Sequence, residues 1–273
     1  MNKATLTFIG AGNMTFSIIG GLVAKGYPPG NIIASDPARE NLEKLNTSYG
    51  VATTNDNAEA VSHADVIVLA VKPQVMKSVA TALRPHLEHA PLIISIAAGI
   101  SMDSLNTWLG QELAIVRCMP NTPALVQTGA SALFANANTS TVQRQIAEEI
   151  LAAVGIVSWL DSEGLIDTVI AVSGSGPAYF FLLMEAMIEV ATQQGLKRET
   201  AVDLTLQTAL GAARLAQDSG EDVAELRRRV MSPGGTTEKA VQSFEDDDFR
   251  TIVARAMHTC ADRSAEMARE MGE

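Results

Sequence analysis

The sequence predicts an α/β protein: a doubly wound sheet in the first half, then an all-helical second domain. Two observations carry this. Short, almost wholly apolar runs alternate with helical patterns ahead of Leu160-Asp161-Ser162, and no convincing strand follows that point. Runs this apolar suit strands covered on both faces. Their alternation with helices is the pattern of a doubly wound parallel sheet.

The first expected strand is Leu6–Ile9, ending at Gly10; the second is Asn31–Ser35. Asp65–Val71, Leu92–Ala97 and Ala114–Arg117 follow, with helical patterns between them such as Arg39–Tyr49 and Val75–Leu83. Beyond the composition shift, helices are expected over Pro177–Gln194, Glu199–Asp218 and Asp248–Met271. Small residues cluster at Ala209-Leu210-Gly211-Ala212-Ala213, which lets helices approach closely. Helices with faces this broadly apolar point to burial against a partner, so a homodimer is expected. The expected domains are residues 1–161 and 162–273. The acidic run Glu245-Asp246-Asp247-Asp248 reads as a solvated loop or helix start.

Hydrophobic residues at 47% and charged residues at 19% describe a soluble globular chain. The net charge of −11 argues against a general nucleic-acid binder, which needs a basic face. Cys118 and Cys260 are far apart and form no metal or disulfide spacing, which fits a reducing cytoplasm. No signal-peptide pattern follows Met1-Asn2-Lys3, and no metal site is expected. The most apolar segment, Tyr179–Ala191, carries Glu185 and Glu189 and reads as a buried helix too short to span a bilayer.

Phe8-Ile9-Gly10-Ala11-Gly12-Asn13-Met14-Thr15 sits between a strand and a helix, the context that a dinucleotide fingerprint requires. Gly10 permits the tight turn and Gly12 lets a pyrophosphate approach the backbone. Thr15 stands where Gly or Ala is usual, so helix–strand packing must accept a β-branched residue there. Asp36 ends the second strand, where an acid bonds the adenosine ribose and favours NAD. Equally, Asp36-Pro37 can start the next helix, and Ser35 and Arg39 can hold a 2′-phosphate. The cofactor is thus NADPH or NADH. Ala70-Val71-Lys72-Pro73 and Ala97-Ala98-Gly99 lie at carboxyl ends of strands, where open α/β sheets bind ligands; Lys72 also fits an ordinary surface lysine. Met119-Pro120-Asn121-Thr122-Pro123 is a rigid extended turn, expected near the nicotinamide.

Val172-Ser173-Gly174-Ser175-Gly176-Pro177 interrupts the helical half and suggests close backbone approach to a ligand or a neighbouring subunit. Ser232-Pro233-Gly234-Gly235-Thr236-Thr237 reads as a turn opening a helix. Such a turn suits a small carboxylate through its N–H groups and the helix dipole, and it equally suits an ordinary helix start. The histidines His63, His86, His89 and His258 form no ligand-like pair, and no GxSxG, HExxH or Tyr-x-x-x-Lys pattern occurs.

Taken together, Phe8–Met14, Ala70–Pro73, Met119–Pro123, Val172–Tyr179 and Ser232–Thr237 resemble pyrroline-5-carboxylate reductase over nearly the whole chain, in order and spacing. The resemblance implies a Rossmann-type domain followed by a helical dimerisation domain. It also implies reduction of 1-pyrroline-5-carboxylate to L-proline with NADPH or NADH. A protonated imine is already electrophilic, so orientation, dryness and hydrogen bonding to the ring nitrogen suffice without a catalytic histidine. By resemblance, Thr237 contacts that nitrogen, and the backbone from Ser232 through Gly234, Gly235 and Thr236 holds the carboxylate, with Ser175 at the substrate. Gly10, Ala11, Gly12, Asn13 and Met14 take the pyrophosphate, and Ser35 and Asp36 the adenosine ribose. Asn57, Ala70, Val71, Lys72, Pro73, Ala97, Ala98, Gly99 and Asn121 complete the dinucleotide site. The implied dimer is intertwined, with one subunit's helical domain closing the other's site, and some members of the family build rings of dimers. A β-hydroxyacid dehydrogenase is the rival enzyme, but its helical-domain lysine is missing from Glu199–Asp218. A non-catalytic NADPH sensor would not need the Gly234–Thr237 turn.

Overall fold

The computed structural model of the chain describes residues 3–110 and 112–272. Eight strands form one sheet: β1 (Leu6–Ile9), β2 (Ile32–Ser35), β3 (Ala52–Thr54), β4 (Val66–Leu69), β5 (Leu92–Ser95), β6 (Ile115–Met119), β7 (Gly129–Ala135) and β8 (Gly155–Trp159). Their order is β3-β2-β1-β4-β5-β6-β7-β8, and only the β6–β7 pair is antiparallel. The chain leaves β1 toward β2 on one side and returns to β4 on the other. The switch point therefore lies between the carboxyl ends of β1 and β4, where such sheets bind ligands.

Five of these strands were expected from apolar runs; β3, β7 and β8 were not. β3 has only three residues at the sheet edge; β7 is mostly buried but carries Gly129 and Ser131 among small residues, and β8 carries Gly155 and Ser158 and alternates between half-buried and exposed.

The helices of this part are α1 (Asn13–Ala24), α2 (Arg39–Tyr49), α3 (Asn57–Val61), α4 (Pro73–Leu83), α5 (Met102–Leu109), α6 (Thr141–Leu151) and α7 (Leu165–Val169). They cover both faces of the sheet, as the period of two in each strand demands. Leu6, Phe8, Val66, Val68 and Ile94 pack with Ile18, Ile19, Leu22 and Leu45 on one side. Ile9, Ile67, Leu69 and Ile93 pack with Met76, Leu83, Leu105 and Trp108 on the other. Ile166 and Ala171, the first buried residues beyond the last strand, are 3% and 2% exposed.

After a single π-helical turn at Ile170–Gly174 come α8 (Gly176–Gln193), α9 (Arg198–Ser219), α10 (Val223–Arg229), α11 (Thr236–Asp246) and α12 (Phe249–Gly272). The chain forms two compact units: residues up to Ser175 together with those from Thr259 onward, and Gly176–His258. In the second unit only Gly176, Ala201 and Thr205 are buried.

The apolar segment Tyr179–Ala191 is thus not the buried helix that its composition suggests. Phe180, Phe181 and Leu182 are 64%, 63% and 67% exposed. Nor is it short: the helical run Leu165–Gln193 is long and apolar enough to cross a membrane by length and composition. Apolarity signals that a surface must be covered, and within one chain most of this surface is not.

The acidic run is also more structured than a solvated loop. Glu245 and Asp246 end α11, and the Glu245 carboxylate pairs with Arg227 and Arg250, each at 2.8 Å. Asp248 turns the chain into α12 with φ of 55°.

Candidate active site

The glycine turn after β1 is built by exclusion. Gly10 has φ of 102°, and a Cβ there would lie 2.6 Å from the Ala70 carbonyl oxygen. Only glycine allows β1 and β4 to end so close together. The Gly10 N–H donates to Ser35 O, and the Ala70 N–H to Ile9 O, each at 2.8 Å, so three strand ends meet here. Gly12, by contrast, would direct a Cβ into open space. It caps α1 without a side-chain hydrogen bond, and the first turn of α1, which includes Asn13 and Met14, contains no acidic residue. Open backbone at a helix N-terminus is the donor set that a pyrophosphate requires. These residues fit a dinucleotide.

Thr15 does not strain the packing. It is buried, and its hydroxyl donates to Gly10 O at 2.7 Å, closing the turn from inside. Thr15 thereby gains a partner for a polar group that burial would otherwise penalise.

Asp36 is half-buried at the end of β2. Its Oδ2 accepts from the Ala11 N–H and its Oδ1 from the Ala38 N–H, both at 2.7 Å. The carboxylate closes a local turn onto Ala38 and ties it to the glycine turn, but it does not cap α2, whose cap residue Ala38 carries no side-chain cap bond. Ser35 is buried, and its hydroxyl donates to Asn57 Oδ1 at 2.7 Å. Ser35 and Asn57 therefore fix β2 to the start of α3. Arg39 extends into solvent and pairs with Glu43 at 2.8 Å, on the rim of a depression of about 470 Å³ bordered by Asp36, Pro37, Thr54 and Asn55.

On the β4 side, Lys72 precedes α4 with its side chain exposed, and Pro73 takes the first helical position, where its missing N–H costs nothing. Val71 is half-buried beside it. After β5, Ala97 is buried, Ala98 half-buried and Gly99 turns with φ of 71°. A Cβ on Gly99 would lie 3.4 Å from Met271 Sδ and 3.7 Å from Met267 Cβ, so the last turn of α12 packs on this loop. The sequence offered no sign of that contact beyond two methionines four residues apart. After β6, Asn121 is 9% exposed; its Nδ2 donates to Ser173 O at 3.0 Å and its Oδ1 accepts from the Ala130 N–H at 2.9 Å. Glu163, also not foreseen, bonds Arg117 and accepts from the Met102 N–H at 2.7 Å. Burial pushes the Cys118 thiol far above its ordinary range, so it is no nucleophile at neutral pH.

In the second unit, Ser232–Gly235 forms a tight turn into α11. Gly234 has φ of 72°, and the Gly235 N–H donates to Ser232 O at 2.9 Å. Glu238 reaches back to accept from the Gly234 N–H at 2.7 Å. The acid at the third helical position is the signal that marks this reach. Gly235 caps α11 with no side-chain bond, so the amides of Thr236 and Thr237 open the helix with no partner from its own turns. Both threonines are exposed. Ser175, in the first unit, places its hydroxyl 3.1 Å from Cys260 Sγ.

The model of a family described as pyrroline-5-carboxylate reductase dimerisation matches residues 163–267, and one described as NADP oxidoreductase coenzyme F420-dependent matches residues 5–99. The chain is 55% identical over 273 residues to a pyrroline-5-carboxylate reductase of Pseudomonas aeruginosa, with all of both chains covered. It belongs to the pyrroline-5-carboxylate reductase family. The structure of a pyrroline-5-carboxylate reductase from Coxiella burnetii superimposes with a TM-score of 0.94 at 44% identity, covering 97% of this chain and 99% of that one. A pyrroline carboxylate reductase of Plasmodium falciparum with NADP bound gives 0.87 at 30% identity, covering 98% and 99%. The fold of this family accounts for both parts of the chain: a Rossmann-like sheet with helices, and a helical dimerisation segment.

Proposed function

We propose that this chain reduces 1-pyrroline-5-carboxylate to L-proline with NADPH or NADH, the last step of proline biosynthesis. Family membership at 55% identity over the full length is the observation that carries the reading. The bound dinucleotide supplies a hydride to the imine carbon. Gly10, Ala11, Gly12, Asn13 and Met14 would hold its pyrophosphate, Asp36 its adenosine ribose, and the loops Ala70–Pro73 and Ala97–Gly99 would complete its site. In the turn Ser232–Thr236 the Gly234 and Gly235 N–H groups are already bonded, to Glu238 and to Ser232 O, so the substrate carboxylate is held at the end of the turn, by the amides that open α11. Thr237 bonds the ring nitrogen, which enters already protonated as the iminium and becomes the secondary amine when hydride reaches the adjacent carbon. The open amides of Thr236 and Thr237 and the positive end of α11 support the carboxylate role.

Residues 1–161 act as the dinucleotide domain and 162–273 as the dimerisation and substrate domain. The working form is a homodimer in the cytoplasm. Its support is the bareness of residues 176–258, in which three buried residues cannot make a core. A second copy covers the apolar helical run, with Glu185 and Glu189 counting against a bilayer. The test is oxidation of NADPH or NADH by the purified protein with 1-pyrroline-5-carboxylate, read as loss of the reduced cofactor's absorbance, with turnover expected on the order of 1–1000 per second. Tight NADPH binding without turnover would leave a sensor in its place.

A further inference from the structure

We infer that Asn121 is a positioning residue that acts on Ser175 through the π-turn, and not a ligand of the dinucleotide. The inference rests on the reading that Ser175 meets the substrate. It starts from a missing donor. In an α-helix, the carbonyl of Ser173 would accept from the N–H four residues on, but that residue is Pro177 and has no N–H. The backbone responds with one wide turn, in which the Ser175 N–H reaches back five residues to Ile170 O at 2.8 Å. Ser173 O is left needing a partner. Asn121 provides it from the turn after β6, its Nδ2 at 3.0 Å.

The orientation of the amide is fixed at the other end. Its Oδ1 accepts from the Ala130 N–H, so only Nδ2 can face Ser173. A side chain more than nine-tenths buried, with both of its ends committed, is a clamp between the start of β7 and the π-turn. Two motifs far apart in the sequence, Met-Pro-Asn-Thr-Pro and Ser-Gly-Ser-Gly-Pro, are thus two halves of one device. The proline of the second creates the vacancy that the asparagine of the first fills. Ser175, two residues beyond the clamped carbonyl, takes its place from that geometry.

The test compares Asn121→Asp, Pro177→Ala and the double variant, as full-length protein. Asn121→Asp keeps the acceptor for Ala130 but sets a carboxylate oxygen against Ser173 O. Its kcat/KM for 1-pyrroline-5-carboxylate should fall about ten- to a hundredfold, the cost of a displaced reacting geometry. The Kd for NADPH, titrated without substrate, should stay within about twofold. Pro177→Ala returns an N–H at the fourth residue, so the double variant should recover part of the loss. A Kd for NADPH that weakens in step with kcat/KM would make Asn121 a cofactor ligand and overturn the inference. So would a double variant whose losses simply multiply. If Asn121→Asp does not fold, Asn121→Ser is read by the same two measurements. A wild-type chain that turns over no imine overturns the proposed function instead, and this assignment with it.

Discussion

The Oδ2 atom of Asp36 accepts a hydrogen bond from the backbone N–H of Ala11 at 2.7 Å. One carboxylate at the end of β2 thereby sets the glycine turn after β1, while its other oxygen holds the entry to α2. An acid at this position is ordinarily read as a ribose ligand. Here it fixes the glycine turn that is proposed to hold the pyrophosphate, a role indifferent to whether the ribose has a 2′-phosphate.

Asp36→Asn replaces one acceptor oxygen with a donor and breaks one of the two bonds. A charge-assisted bond to a backbone amide is worth about 1.5–3 kcal/mol. The expected outcome is weaker binding of both NADPH and NADH, by about tenfold or more, in a fluorescence titration. A loss confined to NADH would mean that Asp36 reads the ribose alone and that the Ala11 bond is incidental.

Gly10 and Gly12 are separated by the same logic. Gly10→Ala forces a Cβ to within 2.6 Å of Ala70 O at a φ of 102°, so the fold itself suffers, by about 1–3 kcal/mol in urea unfolding. Gly12→Ala meets no protein atom within 4 Å, so unfolding should be nearly unchanged. Its methyl group would stand in the space proposed for the pyrophosphate, and NADPH binding should weaken by about tenfold or more. A Gly12→Ala protein that binds NADPH like wild type would place the dinucleotide elsewhere.

The sequence-based reading was strongest where one force dominates. Strands buried on both faces announce themselves through runs such as Val66–Leu69, and the glycine turn through Gly10 and Gly12. Edge strands β3 and β8 do not, because none of their residues is fully buried and they need not be apolar. Side-chain bonds to backbone were also out of reach. Thr15 departs from the fingerprint in sequence, yet its hydroxyl bonds Gly10 O, a partner set by three-dimensional proximity and not by spacing. The helix Tyr179–Ala191 was misread for a different reason. Composition says that a surface avoids water, but not whether its own chain or another covers it.

Phe180, Phe181 and Leu182 project in different directions around α8 and are all exposed in the single chain. Multi-angle light scattering at micromolar concentration should give at least twice the chain mass, and a ring of dimers would show as a higher multiple. Phe181→Asp should lower that mass or the midpoint of thermal unfolding, because burying a charge against apolar surface is costly. A wild-type monomer at these concentrations would leave the bare helical unit unexplained.

Thr237 is the sharpest single test of the substrate half of the site. Its backbone N–H lies in the first turn of α11, and the residue is exposed. Thr237→Ala keeps the helix start and removes only the hydroxyl. If that group bonds the ring nitrogen as hydride arrives, one strong transition-state bond is lost, worth about 1.5–4 kcal/mol. kcat/KM should then fall by about tenfold to a thousandfold with NADPH affinity unchanged. Thr237→Ser restores a hydroxyl at the same Cβ and should recover most of the activity, which a loss of helix stability would not predict. An alanine variant with wild-type kinetics would remove Thr237 from the reaction and leave the turn with its carboxylate role alone.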